Sequence, residues 1–163
     1  MQWSQIAADF KPDGGLRDIY VLGTTEADWD AVVARLRQLL PPPIFTIDGV
    51  AQEMPMQTAA IFSLREKHSP LLAIMLGTAQ LNCNFFQNDE IEFDFYPQEI
   101  TNVAQAETLA SFMQLLGETT DKPVILCYEN TQDAVIARYS PPDRAVIWGG
   151  APAVQNGSRQ NAE

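Results

Sequence analysis

Residues 81–97 read LNCNFFQNDEIEFDFYP. Apolar and polar side chains alternate on either side of the short polar segment Gln87–Asp89. Leu81, Cys83, Phe85, Ile91, Phe93 and Phe95 fall on one side, and Asn82, Asn84, Glu92 and Asp94 on the other. A period of two is the mark of a strand with one face in a core and one in water. An Asn-Asp pair between two such runs is turn chemistry. The stretch therefore reads as two antiparallel strands, with carboxylates and amides side by side on the polar face and no base among them.

The same pattern extends in both directions. LLAIMLG (71–77) is a third strand, joined to the first by a tight turn, so residues 71–96 form an antiparallel meander. Upstream, LRDIYVLG (16–23) is strand-like, and TTEADWDAVVARLRQLLPPP (24–43) is a capped helix. Thr25 suits the N-cap, acids fill the first turn, and Pro41–Pro43 end the element. Trp29, Val32, Val33, Leu36, Leu39 and Leu40 make its apolar stripe. IFTID (44–48) follows as a strand, giving a β-α-β unit whose crossover is right-handed if its strands are parallel.

Residues 49–70 read as a loop and a short helix near Thr58–Glu66. A second long amphipathic helix covers Asn102–Glu118, with Val103, Ala106, Leu109, Ala110, Met113 and Leu116 inward. DKPVILCYEN, DAVIARYSPP and RAVIW supply the last strands, RAVIW at an edge. The expected fold is α+β: a two-layer sandwich with a mixed sheet and two main amphipathic helices on one face. The other face is then at least partly open to water. Residues 1–148 are expected to form a single globular domain, and 149–163, rich in Gly, Asn, Gln and Ser, a flexible tail.

With 163 residues, the chain has the size of one ordinary domain. Twenty-one acids against ten Lys and Arg give a net charge of −11. That balance excludes a nucleic-acid backbone as the expected partner, because polyanions are bound with Lys and Arg. It argues equally against an anionic membrane surface. No Lys or Arg lies between Lys67 and Lys122, an interval holding Asp89, Glu90, Glu92, Asp94, Glu99, Glu107, Glu118 and Asp121. No apolar run approaches a membrane span and no signal peptide is visible, so a cytoplasmic location is expected. Cys83 and Cys127 sit in apolar runs and read as buried thiols.

Chemical motifs are sparse. The acids of 89–94 lack the glycine turn and ligand spacing of a calcium loop, so no metal is expected there. His68 is the only histidine and lies in a polar turn, away from any evident nucleophile. PDGGLRD and LGTTEADW carry too few glycines in the wrong places for a phosphate cradle. No cofactor is expected. Trp3 and Trp148, near the ends, are suited either to packing on the domain or to anchoring a partner.

Three blocks, LRDIYVLGTTEADWDAVVARL, LNCNFFQNDEIEFDFYP and DKPVILCYENTQDAVIARYSP, together resemble small stand-alone bacterial domains, some of which accompany polymorphic toxins as immunity proteins. The resemblance implies a bacterial, cytoplasmic, non-enzymatic protein and assigns no site residue. The leading expectation is an acidic protein-binding domain that meets a basic protein surface through Asn82, Asn84, Asp89, Glu90, Glu92, Asp94 and Tyr96. A toxin is the most concrete partner. Two other readings compete: a small carboxylate- or metal-dependent hydrolase using acids from 89–99, and a structural domain that self-associates through its open face or an edge strand.

Overall fold

The computed structural model describes residues 1–149. The expected tail falls almost wholly outside them. Gly149, placed in that tail by the sequence reading, still donates its N–H to Ile136 O at 2.8 Å.

Among the described residues, nine strands form one sheet. They are β1 (Arg17–Leu22), β2 (Ile44–Ile47), β3 (Val50–Gln52), β4 (Pro70–Leu76), β5 (Ala79–Cys83), β6 (Glu90–Phe95), β7 (Val124–Tyr128), β8 (Thr131–Ser140) and β9 (Ala145–Trp148). Their order across the sheet is β3-β2-β4-β5-β6-β1-β7-β8-β9. Four α-helices accompany them among the described residues: α1 (Trp3–Ile6), α2 (Glu26–Leu36), α3 (Thr58–Leu64) and α4 (Val103–Thr120). The fold class is α+β.

The sheet is not mixed, as the sequence reading has it. Every hydrogen-bonded pair of strands is antiparallel. The β-α-β reading was half right for a topological reason. β1 and β2 do point the same way, but β6, β5 and β4 lie between them and reverse each neighbouring pair. Likewise β6 and β7, joined through α4, run in the same direction with β1 inserted between them. The first strand is thus clasped by two strands from much later in the chain. The meander β4-β5-β6 and the edge position of β9 match the sequence reading. β3, only three residues long beyond the Asp48-Gly49 turn, is an element that reading lacks.

Local chemistry sets the helices. The Thr25 hydroxyl accepts the Asp28 N–H at 3.3 Å while the Asp28 carboxylate accepts the Thr25 N–H at 2.8 Å, a reciprocal box at the start of α2. Asn102 caps α4 by accepting the Gln105 N–H at 3.1 Å. α4 stops at Asp121, whose left-handed backbone (φ 54°) turns the chain towards β7. Trp29, Val32, Val33 and Leu36 of α2 and Leu109, Met113 and Leu116 of α4 join one core with Ile19, Val21, Leu81, Phe93 and Leu126 of the sheet. Trp3 stacks on Phe10, whose ring meets Trp148 edge-on. These terminal tryptophans pack against the core.

Core residues occupy one parity of each central strand, so the helices lie on one face only. The alternate residues of β1, β6 and β7 face away, where Tyr20, Ile125 and Cys127 form a separate small cluster with Val135. Among the described residues, no helix is long and apolar enough to cross a membrane.

Candidate functional site

Strand register assembles the helix-free face. In one row Asn82 of β5 lies opposite Asp94 of β6, which lies opposite Asp18 of β1, itself opposite Cys127 of β7. In the next row Glu92 faces Tyr20, followed by Ile125, Arg138 and Ile147. Asp94 and Asp18 are cross-strand neighbours, and like charges placed directly opposite repel. Among the described residues, none of the ion pairs reaches Asp18, Glu90, Glu92 or Asp94. Their partners are neutral donors instead. Asn82 and Asn84 donate side-chain N–H groups to the two Asp94 oxygens at 3.3 and 3.2 Å. This answers why amides and carboxylates alternate in the 81–94 stretch: the amides solvate Asp94 where no cation does.

Asp18 is the buried centre of the row, with 2% of its surface exposed. The β7–β8 hairpin covers it. Residues 132–134 of β8 have no partner on β7, because the register jumps from Cys127 opposite Val135 to Tyr128 opposite Thr131. Such extra residues bend a strand, and here the hairpin tip leans over the sheet. The Asn130 N–H donates to Asp18 Oδ2 at 2.7 Å and the Tyr20 hydroxyl donates to the same oxygen at 3.1 Å. Gln132 reaches across β7 and β1 to donate to Glu90 at 3.4 Å.

Between this tip and the β5–β6 connection lies a cleft of about 650 Å³, lined by Tyr20, Phe86, Gln87, Glu90, Glu92, Asn130 and Gln132. The connection is longer than the expected Gln87–Asp89 turn and spans residues 84–89. Phe85 takes a left-handed backbone (φ 53°) that is rare for a bulky side chain. That twist drops its ring into the core on Trp29, with centroids 5.4 Å apart, while Phe86 stays outside. Arg65 braces the connection from α3's end, donating to Asn84 O at 2.8 Å with its guanidinium over the Phe86 ring.

Partial burial raises the proton affinity of these acids. Burial, with the charges of Asp18, Glu90 and Asp94 added, pushes Glu92 up to about 7. Burial likewise raises Asp94, against the opposing hydrogen bond from Asn82. Asp18 is raised because its burial outweighs the hydrogen bonds from Asn130 and Tyr20. Tyr20 is raised by burial and then by the neighbouring Asp18 and Glu92 charges. Both thiols are held at about 12, chiefly by burial, so neither is a nucleophile. His68 instead meets the Asp48 carboxylate at 2.7 Å on the exposed surface, with no nucleophile in that contact. Among the described residues, no three His, Cys, Asp or Glu side chains are arranged to hold a metal ion.

Of the residues singled out from sequence, Asn82, Asn84, Glu92 and Asp94 come together, and Glu90 joins Glu92 at the cleft. Asp89 is exposed in the β5–β6 connection, where its backbone oxygen accepts the Thr24 N–H at 2.9 Å. Tyr96 is exposed beyond the opposite end of β6, about 20 Å of extended chain from Asp89. Asp18, Tyr20, Asn130 and Gln132 were missed. LRDIYVLG alternates too, and an Asp inside a strand run was the available signal, but only register shows that it joins Asp94.

Chemistry and architecture together define an α+β domain with one helix-covered face and one face bearing a partly desolvated acidic row. No family model, no curated protein and no solved structure matches the chain.

Proposed function

We propose that this chain is a non-enzymatic binding domain whose helix-free sheet face docks a basic protein surface, most concretely as an immunity protein that neutralises a toxin. One observation carries the reading: Glu90, Glu92, Asp94 and Asp18 share a face with no helix over it and, among the described residues, no ion pair to any of them. A cationic partner supplies the missing counter-charge, which speeds encounter and enforces register. Exposed Leu22, Phe86 and Ile147 near the same face offer apolar contact beside the charge.

The test is titration of the protein into a purified basic partner, beginning with any toxin domain encoded by a neighbouring gene. Replacing Glu92 with Gln and Asp94 with Asn removes charge at almost constant shape. The double variant is expected to bind more weakly at low ionic strength, with the difference shrinking as salt is added. Unchanged affinity in the double variant removes this face from the interface.

A second reading, a small hydrolase, is favoured by Glu92 itself. A carboxyl held at about 7, sharing a cleft with Glu90 and Tyr20, is matched to proton transfer near neutral pH. Loss of a measured turnover in Glu92→Gln with the fold intact supports it over docking.

A further inference from the structure

The β7–β8 tip combines three features that nothing in the binding reading requires. It leaves the sheet at a register break, it is pinned by hydrogen bonds to carboxylates, and it shields those carboxylates from water. We propose that this tip, Glu129–Ala134, is a proton-sensitive cover that closes over Asp18 and Tyr20 when the carboxylate row beneath holds a proton and lifts when the row is fully ionised.

Geometry provides the moving part. Residues 132–134 are unpaired with β7, so lifting the tip breaks no ladder hydrogen bond of those residues with that strand. The contacts that open are few: Asn130 N–H to Asp18 at 2.7 Å, Gln132 to Glu90 at 3.4 Å, and the single pairing of Thr131 with Tyr128 beyond the break. Glu129 also accepts the Leu16 N–H at 3.0 Å, at the base of the tip.

The surrounding charges are lopsided. β1 contributes Asp18 and Tyr20, with Arg17 of the same strand turned to the helix side, where it pairs with Asp13. β6 contributes Glu90, Glu92 and Asp94, and β7 contributes the Cys127 thiol. The tip brings Glu129 and Asp133, the β5–β6 connection Asp89, and β8 only Arg138, opposite Ile125. Closing the tip therefore sets negative groups over negative groups and takes water away from both.

Linkage fixes the sign. Covering the row takes water from carboxylates that lie beside one another on β1 and β6, which disfavours their ionised forms; the raised proton affinities of Asp18 and Glu92 run in the same sense. A closed state that binds a proton more tightly than the open one is favoured by protons, and each ionisation favours the open one by the same factor. With one proton involved, the opening equilibrium rises by at most about tenfold per pH unit, then levels off above the closed-state titration.

The experiment is amide hydrogen exchange followed by NMR from pH 5 to 8, with rates corrected for intrinsic exchange. The Asn130 amide is expected to lose protection as pH rises towards neutrality and then to plateau, with an opening constant well above that of the Ile19 amide at the sheet centre, which reports global unfolding. Glu92→Gln, isosteric and uncharged, is expected to flatten the Asn130 profile. Three results overturn the proposal: a flat wild-type profile for Asn130, an unchanged profile in Glu92→Gln, or equal opening constants for Asn130 and Ile19 at every pH, which marks global unfolding instead of a moving tip.

Discussion

Glu92 concentrates the electrostatic tension of this protein in one side chain. Its carboxyl titrates at about 7 in the folded chain, above the ordinary value of 4.5. A folded-state value raised in this way means that the native state binds the proton more tightly than the unfolded chain. The resulting stabilisation is complete below the unfolded value and is lost as pH rises through the folded one. The melting temperature is accordingly expected to fall as pH rises from 5 to 8. Glu92→Gln should flatten that decline and melt a few degrees higher than wild type at pH 8. Circular dichroism melts across the range check both statements. Asp94 and Asp18 act in the same sense, so some slope is expected to remain.

Individual elements show where packing leaves no room. Gly117 lies in α4 where the helix crosses β8, and a Cβ added there would run into the Tyr139 ring. Gly117→Ala is expected to destabilise by about 1–3 kcal/mol through overpacking, although Ala is the better helix former. Urea unfolding measures it. Thr25→Ala, which dismantles the capping box of α2, should cost about 1 kcal/mol in the same assay.

Elements were also where the sequence was most readable. Alternation in 81–97 placed four polar residues on one face because a strand's period is fixed by backbone geometry, whatever its neighbours. The stripe from Trp29 to Leu36 was legible for the same reason. The helix nevertheless stops at Leu36, short of the prolines expected to end it, and Leu40, read as part of the stripe, is exposed. β3 escaped because three residues are too few to show a period. Asp18 escaped because a strand's sequence says which residues share its face, not which strand will lie beside it. The lean of the β7–β8 tip escaped because it arises from a mismatch between two strands, visible only once they are paired.

At the scale of the whole molecule, a net charge of −11 understates how conditional the acidic face is. Near neutral pH Glu92 is part-protonated, so the face gains charge as the solution becomes more basic. Affinity for a basic partner is therefore expected to strengthen between pH 6 and 8, provided the partner itself does not titrate there. It should also weaken with salt. Calorimetry at several pH values and ionic strengths reads both trends, and a pH-independent affinity would place the contact away from Glu92.

The seating of β1 between β6 and β7 has a consequence for synthesis. A ribosome delivers Arg17–Leu22 long before Glu90–Phe95 and Val124–Tyr128, the segments that flank it. Until residue 128 has left the exit tunnel, the middle of the future sheet lacks at least one neighbour, and its unmet amides and carbonyls invite strangers. Nascent chains stalled short of β7 should for that reason be the species that chaperones hold, and release should coincide with arrival of the strand that closes the second side.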